Sequence, residues 1–277
     1  MLECFVRADT FALKFAEILE GSGVSRASLH RTLSDMVANG LLSQAGRREE
    51  YRLGPLLRSA GALSAAASNV PSAARPHMER LRDECREAVV LAELEGASVV
   101  PVLRADGLHE MRMNQAIGRH YPAHSGATGK VLLANLPPGE REDLIGGAEL
   151  ERLTPDTTTD PEQLAAELEL IAEAGVGVSV GERVPDAVAI SAPVSDAEGR
   201  TVAALTISGI ASRYGRERLL SDALALRRVA EAISVDLGYP PPADSRLEDP
   251  ASAASRALET MCVTAAARAG DRAPAPA

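Results

Sequence analysis

The chain has 277 residues, 45% of them apolar, which suffices for two domains with real cores, and its formal net charge of −10 excludes a general nucleic-acid coat protein. Three cysteines, far apart at Cys4, Cys85 and Cys262, form neither a disulfide framework nor a zinc spacing. No apolar run approaches the roughly 18 residues of a membrane span and no charged leader precedes an apolar segment, so the expectation is a cytoplasmic protein with no membrane partner.

Nine residues precede Thr10. Leu2, Phe5 and Val6 supply one or two turns of a first helix, too little for a full supporting helix, and the expectation is that the natural chain starts further upstream. Thr10 begins a helical pattern with Phe11, Phe15, Ile18 and Leu19 on one face. Gly21-Ser22-Gly23 turns the chain, and Ser25 caps a helix whose apolar stripe is Leu29, Leu33, Met36 and Val37. Opposite the stripe lie Ala27, Ser28, Arg31 and Ser34, flanked by His30, while Arg26 projects from the first turn. A face so small, polar and cationic suits a helix pressed into a groove. Asn39-Gly40 ends the helix, and Leu41-Leu42 opens a strand. Ala45-Gly46-Arg47-Arg48 reads as a hairpin tip, with Glu49 to Leu53 returning.

Helix, glycine turn, helix and two-stranded wing is the layout of a winged helix-turn-helix. Residues 24–58 hold six arginines (Arg26, Arg31, Arg47, Arg48, Arg52 and Arg58) against Asp35, Glu49 and Glu50. A small basic patch on an acidic body docks on DNA at one place and stays off it elsewhere. An ordinary amphipathic helix beside a surface hairpin is the competing reading. It loses because the charges fall at both places where such a fold meets phosphates.

Gly54 to Asn69 reads as a linking helix, and Pro71 with Pro76 marks a domain boundary near residue 71. Met78, Leu81 and Cys85 define a further helix. Val89–Ala92, Val99–Leu103 and the alternating Met111/Met113 segment read as strands, with turns at Glu95-Gly96 and Asp106-Gly107. Tyr121-Pro122 leads into His124-Ser125-Gly126-Ala127-Thr128-Gly129-Lys130 and a short helix. Pro138–Leu144 and a helix capped by Asp160, with Leu164, Leu168 and Ile171 inward, come next. Val176–Glu182, Val188–Val194 and Thr201–Ser208 read as three more strands, and Arg216–Leu237 as a closing helix. The fold class is α+β with a mostly antiparallel sheet. Residues 240–277, rich in Pro, Ala, Asp and Arg, read as a disordered tail with at most a transient helix over Ser252–Ala267.

Gly126 to Lys130 is not a phosphate loop. The required first glycine falls at His124, and Val131 replaces the Ser or Thr that would hold magnesium. A helix N-terminus still offers free N–H groups to an anion such as a carboxylate. His120 and His124 are four apart, but Tyr121-Pro122 between them argues against a helix and no third ligand follows. With no evident Cys/His nucleophile pair either, the expectation is no catalytic residue, no metal and no cofactor.

The order of these parts resembles the IclR family of bacterial transcriptional regulators. The likeness is carried by Ser25-Arg26-Ala27-Ser28-Leu29-His30-Arg31-Thr32-Leu33, Tyr51-Arg52-Leu53-Gly54, Ala74-Arg75-Pro76-His77-Met78-Glu79-Arg80-Leu81, His124 to Leu133, Ser191-Ala192-Pro193-Val194 and Ala203 to Gly209. The resemblance implies a winged helix-turn-helix head over 1–54, a linker helix over 55–70, a GAF-like effector domain over 71–239 and the tail over 240–277. It further implies double-stranded operator DNA and a small-molecule effector as partners, and a homodimer or homotetramer. Carried over by position, the DNA-binding face is Arg26, Ser28, His30 and Arg31, with Arg47 and Arg48 at the wing. The effector site is Met113, Ala127, Thr128, Ser179, Ala189, Thr206 and Ser208. Many relatives carry an acidic residue where this chain has Ser179 and Cys where it has Ala189, which leaves a larger or less polar ligand as open as a small dicarboxylate. The expected function is a ligand-responsive, DNA-binding regulator. The alternative is a small-molecule-binding or catalytic GAF-like protein that no longer binds DNA.

Overall fold

The computed structural model describes residues 1–8, 10–45, 50–67, 69–147, 149–240 and 253–270. They fall into two compact units, one of Met1–Asn69 with Ala116–Arg119 and one of Val70–Gln115 with His120–Ala277.

The first unit runs α1 (Leu2–Arg7), β1 (Ala12–Lys14), α2 (Phe15–Ser22), α3 (Arg26–Ala38), β2 (Leu42–Ala45), β3 (Glu50–Leu53) and α4 (Pro55–Ala67). The helix expected from Thr10 begins only at Phe15. In β1 the buried Leu13 stands between half-buried Ala12 and exposed Lys14, and the strand pairs with the free edge of β3, where Phe11 O accepts the Leu53 N–H. The result is a three-stranded antiparallel sheet in the order β1-β3-β2. Glu17 caps α2 by accepting the Lys14 N–H at 2.6 Å, and Gly23, at φ +66°, ends it in the left-handed conformation. Ser25 caps α3 through the Ser28 N–H. Phe5, Ile18, Leu29, Leu33, Leu42 and Tyr51 close a small core, with Met36 and Val37 packed against it.

The second unit opens on α5 (Val70–Cys85) and β4 (Ala88–Glu95), β5 (Ser98–Ala105) and β6 (Tyr121–Pro122). The prolines taken as a boundary lie inside α5. Pro71 sits in the first turn, where no N–H is needed, and Pro76 in the interior, where the apolar stripe Ala74, Met78, Leu81 and Cys85 holds the helix against the sheet. Then come α6 (Ala127–Ala134), α7 (Pro138–Ile145), α8 (Pro161–Ala174), β7 (Gly177–Val180), β8 (Ala187–Ser195), β9 (Thr201–Ile210), a short 3-10 turn over Ala211–Arg213, α9 (Arg216–Asp236) and α10 (Ala253–Gly270). All neighbours in the six-stranded sheet are antiparallel, in the order β6-β5-β4-β9-β8-β7. Strand alternation sends Leu205, Ile207 and Ile190 to a core shared with α5 and α9. Thr206, Ser208 and Ser191 point to the other face.

Two further expectations change. Met111 and Met113 do not form a strand. Their segment is a loop pinned by side chains: Arg213 donates to Met111 O, and Arg104 to Gln115 O. The tail expected to be disordered contains α10, whose Leu258 and Cys262 are 1% exposed against α8, α9 and β7. Apolar residues at helical spacing, Leu258, Cys262, Ala265 and Ala269, outweigh the polar composition around them. Among the described residues no helix is long and apolar enough to cross a membrane.

Candidate functional site

The outward face of α3 carries the residues expected at DNA. Arg26, Ser28, His30 and Arg31 are all exposed. They are not equivalent. The Arg26 guanidinium lies 5.3 Å over the Phe15 ring, and the His30 ring stacks 4.6 Å from it, so both flank the junction with α2. Ser28 is part of the helix cap and accepts from Ser25 Oγ at 3.0 Å. Arg31 points straight away from Leu29 and Leu33 and takes no hydrogen bond or ion pair among the described residues. Arg47 and Arg48 lie outside the described residues. The strands on either side of them in sequence, β2 and β3, pair antiparallel, Leu42 with Leu53 and Gln44 with Tyr51.

The second site is a small cavity, of about 20 Å³, over the polar face of the sheet. Met113, Ala127, Thr128, Ser179, Ala189 and Ser208 all line it. Thr206 is fully buried one layer below. Its hydroxyl meets Thr128 Oγ1 at 3.0 Å and Ser191 Oγ at 2.9 Å. Ser208 Oγ accepts from Gln115 Nε2 at 3.2 Å. Gly126 enters α6 at φ +84°, and a Cβ at Gly129 would collide with the Ala123 backbone, which is why the loop needs both glycines.

The loop amides are partly spoken for. Ala127 N–H donates to Ser179 Oγ at 2.9 Å, and Gly126 N–H to Glu182 Oε2 at 3.1 Å. Thr128 N–H, one residue further into α6, has no partner among the described residues. Ser179 is also the centre of a Gly-x-Ser-x-Gly run, Gly177 to Gly181, the spacing of a hydrolase nucleophile elbow and a match sequence reasoning missed. It sits within β7, not at a strand-to-helix turn, and the only hydrogen-bond partner of its hydroxyl among the described residues is the Ala127 amide.

Sequence reasoning also missed Glu182. It is 4% exposed and pairs with Lys130, whose Nζ lies 2.5 Å from Glu182 and 2.6 Å from Glu167. A carboxylate three residues past Ser179 gives no signal on its own, because only the fold brings it to the α6 entrance. Arg183 lines the cavity too, its guanidinium 4.4 Å over the Tyr121 ring. The two histidines weighed as metal ligands do separate work: His120 contacts Glu95 at 3.0 Å, and His124 the Glu151 carbonyl at 2.9 Å. Among the described residues no group of three or more His, Cys, Asp or Glu is placed to hold a metal.

A helix-turn-helix with a wing, joined to a domain with an antiparallel sheet and a polar-lined cavity beside a helix N-terminus, points to a ligand-linked regulator. The family model described as the bacterial transcriptional regulator IclR C-terminal domain matches residues 62–235. The chain belongs to the IclR family. Its IclR relatives include the HTH-type transcriptional regulator KipR of Bacillus subtilis, 32% identical over 228 residues covering 82% of this chain and 91% of KipR. KdgR of Escherichia coli is 32% identical over 216 residues, covering 78% and 82%. An IclR homologue from Microbacterium hydrocarbonoxydans, crystallised with 4-hydroxybenzoate, superposes with a TM-score of 0.72 at 30% identity, covering 85% of this chain and 95% of that one. As an IclR protein the chain is a DNA-binding transcriptional regulator, and its second unit is the IclR effector-binding domain.

Proposed function

We propose that this regulator binds double-stranded operator DNA as a cytoplasmic homodimer or homotetramer, through Arg26, Ser28, His30 and Arg31 of α3 and Arg47 and Arg48 of the wing. A small-molecule effector in the cavity of the second unit changes that binding. The observation that carries the reading is Arg31: an exposed guanidinium, unpaired among the described residues, at the centre of the face opposite the core of α3. A guanidinium so placed reads a guanine edge or clamps a phosphate. One head makes few contacts, so useful affinity needs two heads on one operator.

The effector presents an acceptor group to the Thr128 amide at the α6 N-terminus, where N–H groups and the helix dipole favour negative charge. Arg183 on the cavity wall supports the same polarity. The 4-hydroxybenzoate bound by the Microbacterium relative is an aromatic carboxylate, and aromatic acids are the first class to try. The experiment is to retain genomic fragments on the purified protein, sequence them, and repeat gel shifts with aromatic acids added. Retention of no preferred sequence would overturn the DNA assignment, and operator binding indifferent to every acid tried would overturn the ligand class.

A further inference from the structure

The hydroxyls beneath and around the effector cavity have fixed proton directions. The register of β8 and β9 sets Ser191 beside Thr206, and Thr128 of α6 meets Thr206 from the other side. Ser191 Oγ donates to the Leu205 carbonyl at 3.2 Å, since a carbonyl oxygen can only accept. Its one proton is then spent, so Thr206 is the donor in their 2.9 Å contact. Thr206 in turn has no proton left, so Thr128 is the donor in the 3.0 Å contact between those two hydroxyls. The opposite direction would leave Ser191 Oγ and Leu205 O as two bare oxygens facing each other in a buried place. Thr128 lines the cavity, and its hydroxyl oxygen keeps only lone pairs to offer there.

The two serines on the wall are the reverse. Ser179 Oγ accepts the Ala127 N–H at 2.9 Å, and Ser208 Oγ accepts from Gln115 Nε2 at 3.2 Å. Those are the only hydrogen-bond partners of the two hydroxyls among the described residues, so each keeps an O–H to give. The cavity therefore offers donors at Ser179, Ser208 and the Thr128 amide, and an acceptor at Thr128 Oγ1. The amide N and Oγ1 of a threonine stand as many bonds apart as a carboxylate oxygen and a hydroxyl on the neighbouring carbon. An oxo group in place of that hydroxyl would set lone pairs against lone pairs. An ammonium there would meet the positive end of α6 and Arg183 on the wall.

We propose, resting on the reading of this cavity as the effector site, that the effector is a 2-hydroxy acid. Its carboxylate accepts from the Thr128 amide, Ser179 and Ser208, and its hydroxyl donates to Thr128 Oγ1. Its body displaces Met113, a loop residue, because the cavity is only about 20 Å³ with that side chain in place. Thr206 does not line the cavity and acts as a positioning residue that holds the Thr128 proton inward.

The test is calorimetry on the full chain with two matched pairs, lactate with pyruvate and mandelate with phenylglyoxylate, which differ only in hydroxyl against oxo. The hydroxy acid is expected to bind about tenfold tighter than its oxo partner. Thr206→Val cannot accept the Thr128 proton, which then turns to the cavity, and the preference should fall to about twofold or less. Thr206→Ser keeps the acceptor and should restore it. A merely structural role for Thr206 would weaken both members of a pair alike and leave the ratio in place. The wild-type ratio decides by itself if Thr206→Val does not fold. Equal affinity within the pairs, or an unchanged ratio in folded Thr206→Val, would overturn the proposal and leave the cavity as an acid site. Binding of neither pair would overturn it together with the effector reading.

Discussion

Glu182 Oε2 lies 2.5 Å from Lys130 Nζ, and the same oxygen accepts the Gly126 N–H at 3.1 Å. One carboxylate therefore ties the chain just past β7 to the entrance of α6, and so sets the loop whose amides face the effector cavity. Both side chains of the pair are 3% exposed. Removing one member of a buried pair leaves the other charged and unsolvated.

Lys130→Met should accordingly destabilise the second unit by about 3–5 kcal/mol, because two carboxylates, Glu167 and Glu182, lose their shared cation at once. Urea unfolding of wild type and variant measures it. A loss below about 1 kcal/mol would mean the desolvation of the three charges already cancels their attraction.

Readout and docking at the DNA should separate by position. Arg31→Ala should cost about 1–3 kcal/mol on the operator and less on random DNA. Arg47→Ala and Arg48→Ala should weaken both alike and lower the salt slope by about one unit each. Gel shifts at several salt concentrations give the comparison, and identical patterns for helix and wing variants would refute the division of roles.

The α3 cap, its apolar stripe and the Asp160 cap of α8 were legible because each is set by residues within one or two turns. The strand at Ala12–Lys14 was not, since Phe11, Phe15 and Ile18 also fit a helix and only the free edge of β3 decides between them. The Met111/Met113 alternation misled for the reverse reason. It pairs with no strand among the described residues, and Arg104 and Arg213 hold it as a loop. At the ligand cavity, Ser208 and Thr206 could be placed on one strand face from their spacing. Glu182 and Gln115, each held by partners dozens of residues away, could not.

In the effector cavity, Ser208→Ala should cost about 1–1.5 kcal/mol of ligand affinity through one lost hydrogen bond. Thr128→Pro should cost more, since it removes the unpaired amide and leaves the ligand acceptor without its donor. Neither should change operator binding without ligand, because both residues belong to the second unit. Calorimetry with the active acid, beside gel shifts without it, reads both effects. Equal ligand affinity in wild type and Ser208→Ala would remove Ser208 from the site, and lost operator binding without ligand would show that it acts on the fold.

The docking of α10 can be followed through Cys262. Its thiol is 1% exposed, and burial pushes it from its ordinary value near 9 up to about 11. The docked helix thus holds the thiol proton more tightly than an undocked one. Docking is fully favoured below pH 9 and weakens as the pH rises from 9 towards 11, where only the undocked form has released its proton. The thiolate is the nucleophile, so undocking at pH 8 raises its fraction about 100-fold and also opens access. Leu258→Ser removes a fully buried anchor from the same helix face and should speed alkylation of Cys262 by iodoacetamide at pH 8. Cys85, buried at the C-terminal end of α5 and likewise pushed up to about 11, should stay protected in that variant and serves as the internal control. Peptide mapping after timed alkylation distinguishes the two. If Cys262 of the wild type reacts at pH 8 as fast as a free thiol, α10 is not docked in solution.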